Sequence, residues 1–401
     1  MAHHAKNLKP WKKVAFGTTL ILALLLVGIF YIFNWKIAKT SPADIEFAPQ
    51  AESQALQLDS IPAKPKNIIF FIADGMGFSH LSLAMMSQEE TGATSVWQQF
   101  DVRAWHDTRS TYGPITDSGA SATALATGTP TFFDVIGMDA DGNSVANLFE
   151  VASANGYNTG IVTDSYVWDA TPAAFLAHTK SRDNAEVILK QTAASEVDIL
   201  FGELEDLGQG GIPELEETME ILEQRFQVLD KSLVLPDQKY PLLPIAAIYE
   251  EDELQDLESQ PNLPKLTTLA LSYLTKEDTP FTLMVECEEI DSGSHRNDSK
   301  RVVKGIKVIE ETLSLILDFA EKNGNTLVVF TADHETGGMA AGVDFDEYPN
   351  MQIIWASQDH TASVVPLLAN GPGSEEFINV DRNWQIGQIL KSLIVTKDSI
   401  P

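Results

Sequence analysis

Residues 67–77 read Asn-Ile-Ile-Phe-Phe-Ile-Ala-Asp-Gly-Met-Gly. The run from Asn67 to Ala73 carries no charge and has strand length, which is the pattern of a strand covered on both faces. Asp74-Gly75 then breaks it with a turn signal. Residues 159–163 (TGIVT), 281–285 (FTLMV) and 326–331 (TLVVFT) repeat the pattern. Helix-like stretches at 144–155 and 302–323 stand between them. Buried strands alternating with helices specify a largely parallel sheet with helices on both faces. In such sheets the ligand site lies beyond the carboxyl ends of the strands.

Polar residues collect at those ends. Asp74 follows the first run. Glu286 follows 281–285, and Asp291 and His295 come shortly after. Asp333 and His334 follow 326–331, and His360 precedes a further apolar stretch at 363–369. Mixed Asp/Glu/His donors without cysteine suit zinc where histidine takes part and magnesium where every donor is an oxygen. Asp291 and His295 are four residues apart, so one helical turn puts both on one face. Taken singly, Asp74-Gly75 and Asp333-His334 also read as ordinary turns. His80, His106 and His178 read as structural or surface histidines.

Residues 116–128 (TDSGASATALATG) are nearly all small. The run presents Ser118 at a helix N-terminus, where backbone N–H groups lack partners and the helix dipole favours an anion. Small neighbours let a bulky anionic substrate approach the backbone. The same run also reads as a tightly packed Ala/Ser helix with Asp117 or Ser118 as its cap.

Ahead of the regular pattern, residues 1–13 are polar and basic, with Lys6, Lys9, Lys12 and Lys13. Residues 14–33 are apolar and uncharged, long enough to cross a bilayer as a helix. Trp11, Tyr31 and Trp35 flank the run as interfacial aromatics do. The expectation is a signal anchor over residues 14–35, a cytoplasmic N-terminus, and a catalytic part on the periplasmic or extracellular side of a single-pass membrane protein. A cleaved signal peptide is the alternative, though residues 37–41 (IAKTS) match a cleavage site poorly. Residues 36–66 carry Pro42, Pro49, Pro62 and Pro65 and read as a tether. Residues 67–401 read as one α/β domain with an acidic helical insertion at 203–258. With 57 acidic against 27 basic residues and a net charge of -30, the chain repels nucleic acid and anionic lipid heads. The single cysteine, Cys287, excludes an intramolecular disulfide.

In order from Asn67 to the C-terminus, these segments resemble the alkaline phosphatase family. NIIFFIADGMG is similar to the family's first metal-binding strand, and residues 116–128 to its nucleophile signature. Asp169-Ala170-Thr171-Pro172 and residues 178–182 (HTKSR) resemble its magnesium and phosphate-arginine segments. Residues 284–295 (MVECEEIDSGSH), 331–338 (TADHETGG) and 358–373 (QDHTASVVPLLANGPG) resemble its remaining metal segments.

The resemblance implies a three-layer α/β sandwich around a central, mostly parallel sheet of about ten strands. It implies Ser118 as the nucleophile. One zinc would be held by Asp291, His295 and His360, and a second by Asp74, Asp333 and His334, with Ser118 meeting the metals. Magnesium would be held by Asp74, Thr171 and Glu286. Arg182 would grip the phosphate, and Asp169 is the acid found beside that site in certain bacterial members. Phosphate monoesters are the implied substrates, a phosphoserine the implied intermediate, and a homodimer a common assembly of the family. The chemistry is coherent. A serine hydroxyl is a weak nucleophile that zinc activates as it does bound water, a second zinc stabilises the leaving oxygen, and an arginine fork fits two phosphate oxygens. Three positions depart from the family pattern. Gly119 stands where many members have alanine, and Cys287 where glycine is usual. Ser292 stands where some members have lysine, histidine or tryptophan, which bears on both magnesium and phosphate affinity.

Two other readings stay open. One is a phosphodiesterase of the same superfamily, against which Arg182 and the magnesium set favour a monoesterase. The other is a catalytically inactive phosphate-binding relative, against which the near-complete ligand set argues. A sulfatase is disfavoured, because no cysteine or serine stands in a Cys/Ser-x-Pro-x-Arg context.

Overall fold

The computed structural model describes residues 18–27, 64–88, 95–204, 215–236, 243–250, 254, 261–343 and 351–395. The chain divides into two units, residues 1–46 and 47–401. In the first, residues 18–27 are helical. The rest of the expected anchor and most of the tether lie outside the described residues. Among the described residues no helix is long and apolar enough to cross a membrane.

The second unit is built on strands β1 Asn67–Ala73, β2 Val102–His106, β3 Asn158–Tyr166, β4 Ile199–Leu204, β5 Gln227–Val228, β6 Ile245–Glu250, β7 Phe281–Cys287 and β8 Thr326–Thr331. Four short strands follow, β9 Glu335–Thr336, β10 Ala340–Val343, β11 Met351–Ile354 and β12 His360–Thr361, and then β13 Val365–Asn370. Among the described residues the central sheet has nine strands, in the order β2-β13-β8-β1-β7-β3-β4-β6-β5. That is one fewer than the resemblance implied. β1 pairs in parallel with β7 and with β8, Ile68 standing beside Thr282 on one side and Leu327 on the other. β13 alone runs backwards, antiparallel to both β2 and β8.

Side-chain alternation along β1 builds the layers. Ile68, Phe70 and Ile72 enter one apolar cluster with Leu125, Leu148 and Leu390 from the helices Ser118–Thr127, Leu148–Ala154 and Asn383–Ile394. Ile69, Phe71 and Ala73 enter the other with Leu266 and Leu313 from the helices Leu263–Leu274 and Ser299–Asn323. Each fully buried Ile or Phe side chain stabilises by roughly 1.5–3 kcal/mol relative to exposure. An uninterrupted apolar strand therefore belongs in the middle layer. The helix Ser299–Asn323 starts where Asp298 accepts from the Lys300 and Arg301 amides at 2.9 and 3.2 Å, and it stops at Gly324 with φ 70°. Its end feeds β8.

The acidic stretch at 203–258 does more than the expected helical decoration. It holds a helix, Leu215–Leu222, but also β5 and β6, which extend the central sheet to its edge. Ile245, Ala246 and Ala247 of β6 are fully buried. The strand is short and runs straight into Glu250-Glu251-Asp252-Glu253, so acidic composition masks its apolar signal.

Candidate active site

The expected site residues stand at the sheet's carboxyl edge. Asp74 follows β1, Glu286 is the penultimate residue of β7, and Asp333 and His334 follow β8. Gly75 turns the chain at φ 74°, and a Cβ there would lie 2.7 Å from the Asp291 Cα. Only glycine lets the end of β1 approach the helix Glu289–His295 this closely. That helix sets Asp291 and His295 one turn apart, with the His295 Nε2 3.2 Å from the Asp291 Oδ2. His360 arrives from the other direction, on β12, which pairs antiparallel with β9 and puts His360 opposite Thr336.

Two clusters result: Asp291, His295 and His360, and Asp74, Asp333 and His334. In the first, the His295 Nδ1 donates to the Gln358 carbonyl at 2.5 Å and the His360 Nδ1 to the Thr116 carbonyl at 2.8 Å. With both Nδ1 atoms so engaged, the two Nε2 atoms turn inward and face each other at 3.1 Å beside the Asp291 carboxylate. In the second, the His334 Nε2 lies 3.2 Å from the Asp333 Oδ2 and 3.4 Å from the Asp74 Oδ1. The Thr336 hydroxyl donates to Asp291 and lies 3.2 Å from the His334 Nδ1, whose proton it accepts. This again turns Nε2 towards the carboxylates. Two carboxylates and an imidazole nitrogen converging in this way fit the donor set of a bound cation.

Burial sharpens the point. The Asp74 Oδ1 and Asp333 Oδ2 are buried without a hydrogen-bond partner. Burial, then the charges of Asp333 and Asp291, push the Asp74 carboxyl well above its usual range. Burial and Asp291 raise Asp333 to about 7. Burial would raise Asp291 too, but the hydrogen bond from His295 and the imidazoles of His334 and His360 hold it far below. Uncompensated acids are costly in such a setting, and a bound cation removes the cost.

Ser118 opens the helix Ser118–Thr127, and its Oγ lies 3.3 Å from the His334 Nε2. The expectation of free first-turn amides is corrected here. Asp117 caps the helix, accepting from the Gly119 and Ala120 amides at 3.2 and 3.0 Å. Its carboxylate already fills the dipole's anion position. Asp117 also accepts from the Asp134 amide at 3.1 Å and stands 3.6 Å from the Arg182 Nη1. The Arg182 Nη2 donates to the Asp169 Oδ1 at 2.8 Å, and its backbone amide to the Asp134 carbonyl at 2.7 Å. Arg182 thus reaches the site already aimed by two carboxylates.

The Thr171 Oγ1 and Glu286 Oε1 are also buried without a partner, while the Glu286 Oε2 accepts from Thr163 at 2.5 Å. Burial, and after it Asp169, push Glu286 well up. Three neighbours escaped the sequence reading. Glu288, raised to about 7 by burial and Asp169, accepts from the Ser292 hydroxyl and donates its amide to the Asp164 Oδ1 at 2.7 Å. Ser165 donates to the Asp169 Oδ2 at 3.2 Å. A run of three acids from Glu286, interrupted by Cys287, is the only trace of Glu288, and nothing in the sequence marks Asp164 or Ser165. Cys287 is fully buried in the apolar core, and burial holds its thiol well above its ordinary value. It packs as a small apolar residue.

The remaining histidines among the described residues are structural. His80 bonds the Gly77 amide at 3.2 Å and the Ser294 hydroxyl at 3.1 Å, and His106 bonds Thr331 at 2.6 Å. His178 bonds the Gly137 carbonyl at 2.6 Å and Glu150 at 3.0 Å. Ser121 is fully buried and donates to the Asp333 carbonyl at 2.6 Å, which excludes it as a nucleophile.

A helix-borne serine beside two His/Asp clusters, one buried and one partly open to solvent, at the carboxyl edge of a doubly covered and mostly parallel sheet, defines a metal-dependent hydrolase of the phosphoryl-transfer type. The sequence profile of the alkaline phosphatase family matches residues 65–200 and 245–347, so the chain belongs to that family. Alkaline phosphatase 4 of Bacillus subtilis is 27% identical, over 83% of this chain and 90% of its own. The alkaline phosphatase of Escherichia coli K12 is 26% identical, over 89% and 92%. Among solved structures, a variant of the TAB5 alkaline phosphatase with magnesium bound in its M3 site superposes with a TM-score of 0.74. It is 29% identical and covers 84% of this chain and 100% of its own. The protein is a phosphatase of a metal-dependent family whose general reaction is phosphomonoester hydrolysis.

Proposed function

We propose that the chain hydrolyses phosphate monoesters through a phosphoserine at Ser118. The observation that carries this is the pair of Nε2 atoms 3.1 Å apart in one cluster, with the Ser118 Oγ 3.3 Å from the Nε2 of the other. Asp291, His295 and His360 would hold one zinc, Asp74, Asp333 and His334 a second, and Asp74, Thr171 and Glu286 a magnesium. The orphaned oxygens of Asp74, Asp333, Thr171 and Glu286 fit those donor sets. Bound there, the cations supply activation of the hydroxyl and neutralisation of charge on the phosphoryl group. Arg182 binds two phosphate oxygens and orients phosphorus towards Ser118. Ser118 Oγ forms the new bond to phosphorus as the ester oxygen departs and takes up a proton. Water then takes the phosphoryl group from Ser118, restoring the hydroxyl and releasing phosphate.

The test is an acid quench during turnover of a labelled monoester, with zinc and magnesium present, followed by peptide mapping. Label is expected on Ser118, and Ser118→Ala should lose transfer to alcohols such as Tris together with several decades of rate. Label elsewhere, or a wild-type rate in Ser118→Ala, overturns the assignment. A nitrophenyl diester hydrolysed faster than the monoester would favour a phosphodiesterase.

We also read residues 14–35 as a membrane anchor with the catalytic unit outside the cytoplasm. Leu20, Leu22, Leu24, Leu26 and Val27 are each 51–62% exposed around the described helix, a surface apolar on every side. The full chain should resist carbonate extraction from membranes, and a chain lacking residues 1–40 should not. Release of the full chain by carbonate overturns the anchor.

A further inference from the structure

Two aromatic side chains stand open to solvent on the segments that flank the nucleophile helix. Tyr112 is 66% and Phe132 37% exposed. Their rings stack with centroids 5.0 Å apart and planes 5° apart, and Phe133 beside them is 49% exposed. The Thr111 amide donates to the Thr131 carbonyl at 3.0 Å, tying the two segments together. The Ser110 hydroxyl closes the first segment onto the Ile115 carbonyl at 3.1 Å.

Both segments run directly into the site. The first continues to Thr116, whose carbonyl orients His360. The second continues to Asp134, held at φ 66° and bonded to both Asp117 and the Arg182 amide. The Asp134 Cα lies 3.5 Å from where a Cβ on Gly119 would stand. Phe132 is two residues away, so its Cα is within about 7.6 Å of the Asp134 Cα.

An exposed apolar patch continuous with a polar site marks a surface for part of the ligand. The faces of Tyr112 and Phe132 turned away from each other offer offset stacking to a further ring. Burial, and after it the charges of Asp117 and Asp183, raise the Asp134 carboxyl against the pull of Arg182. With Arg182 assigned to the phosphate, the acids left on this rim favour a neutral group over a second anion.

We infer that Tyr112 and Phe132 bind a neutral planar aromatic ring in the leaving group of the phosphate monoester. The inference rests on the reading of Ser118 as the phosphoryl acceptor.

The test compares substrates matched in leaving-group chemistry. One pair is adenosine 5′-monophosphate and ribose 5-phosphate. The other is benzyl phosphate and cyclohexylmethyl phosphate. Base–aromatic stacking predicts a ring preference in kcat/KM of about 5-fold or more in the wild type, the equivalent of about 1 kcal/mol. Tyr112→Ala with Phe132→Ala should bring the ratio close to one, while ribose 5-phosphate turnover stays unchanged and reports an intact fold. Tyr112→Phe keeps the ring and should keep the preference. A preference in both pairs assigns any planar ring, and one in the nucleotide pair alone assigns nucleosides. Equal rates within both wild-type pairs, or a ratio that survives the double alanine variant, overturn the inference. Failure of the wild type to turn over any of the four overturns the phosphatase site itself, a separate result.

Discussion

Replacing Arg182 with alanine tests how the site handles phosphate. The guanidinium donates to Asp169 at 2.8 Å and stands 3.6 Å from Asp117, so its free edge is aimed by those two carboxylates. One lost charge-assisted hydrogen bond to phosphate is worth roughly 1.5–3 kcal/mol, or about 10- to 150-fold in kcat/KM. A second effect adds to it. Asp117 and Asp169 are left facing an anionic substrate without their cation. At a separation of roughly 6 Å and an effective dielectric constant of about 20, each such pair of unit charges costs about 3 kcal/mol. The loss should therefore fall at or beyond the upper end of the range. Adding Asp169→Asn should recover about two decades, because it removes one of the repelling charges. The Arg182 backbone amide keeps its 2.7 Å bond to the Asp134 carbonyl in the alanine variant, so the loop stays in place. The assay is kcat/KM on 4-nitrophenyl phosphate and Ki for inorganic phosphate, in saturating zinc and magnesium, with Tm as the fold control. An unchanged Ki, or an Asp169→Asn that deepens the loss, would refute the reasoning.

Chelation should abolish turnover and lower Tm by roughly 5 °C or more, since a ligand at a hundred times its Kd contributes about 2.7 kcal/mol. Zinc with magnesium should restore both, and full activity after exhaustive dialysis against chelator would remove metal from the scheme. The stripped protein should also respond to pH. Asp333 stands at about 7 and Asp74 well above the usual carboxylate range, so ionising them costs folding free energy. Their contribution is favourable below the unfolded carboxylate pKa of about 4 and is lost as pH rises through about 7. The Tm of the stripped chain should thus fall between pH 5.5 and 8 by more than that of the metal-loaded chain, and parallel curves would contradict this. In Gly119→Ala the new Cβ would lie 2.9 Å from the Asp117 Oδ2. The carboxylate must move, weakening a cap worth about 0.5–2 kcal/mol and loosening Arg182. A lower Tm and a higher Ki for phosphate are expected, and wild-type values for both would rule this out.

The strands β1, β7 and β8 were legible because each is an apolar run with polar residues on either side, and the ligands that follow them stand in plain view. β6 was not legible, because four acids begin where it ends. The reversal of β13 was not either. An apolar run carries no direction, and only pairing with β2 and β8 settles it. Among the candidate site residues, Asp74, Glu286, Asp333 and His334 come from recognisable strand ends. The groups that orient the site do not. Asp134, Thr336 and the Thr116 carbonyl gain their roles from partners 17, 45 and 244 residues away. Periodicity has no reach over such separations. Asp117 was visible as a cap, but its hold on Arg182 required the folded loop.

The backward run of β13 also sets a timetable. In an otherwise parallel sheet, a residue that precedes a strand can reach the carboxyl edge only if that strand is reversed, and His360 does so through β13. β13 also joins β2 to the remainder of the sheet. A ribosome making this chain has joined every residue through His334 before the third member of the first cluster exists. Even then His360 has no fixed position until the strand behind it slots between β2 and β8. That cluster therefore cannot be completed before β13 has been made and has paired with its neighbours. The last strand to enter the middle of the sheet decides when the three side chains first meet.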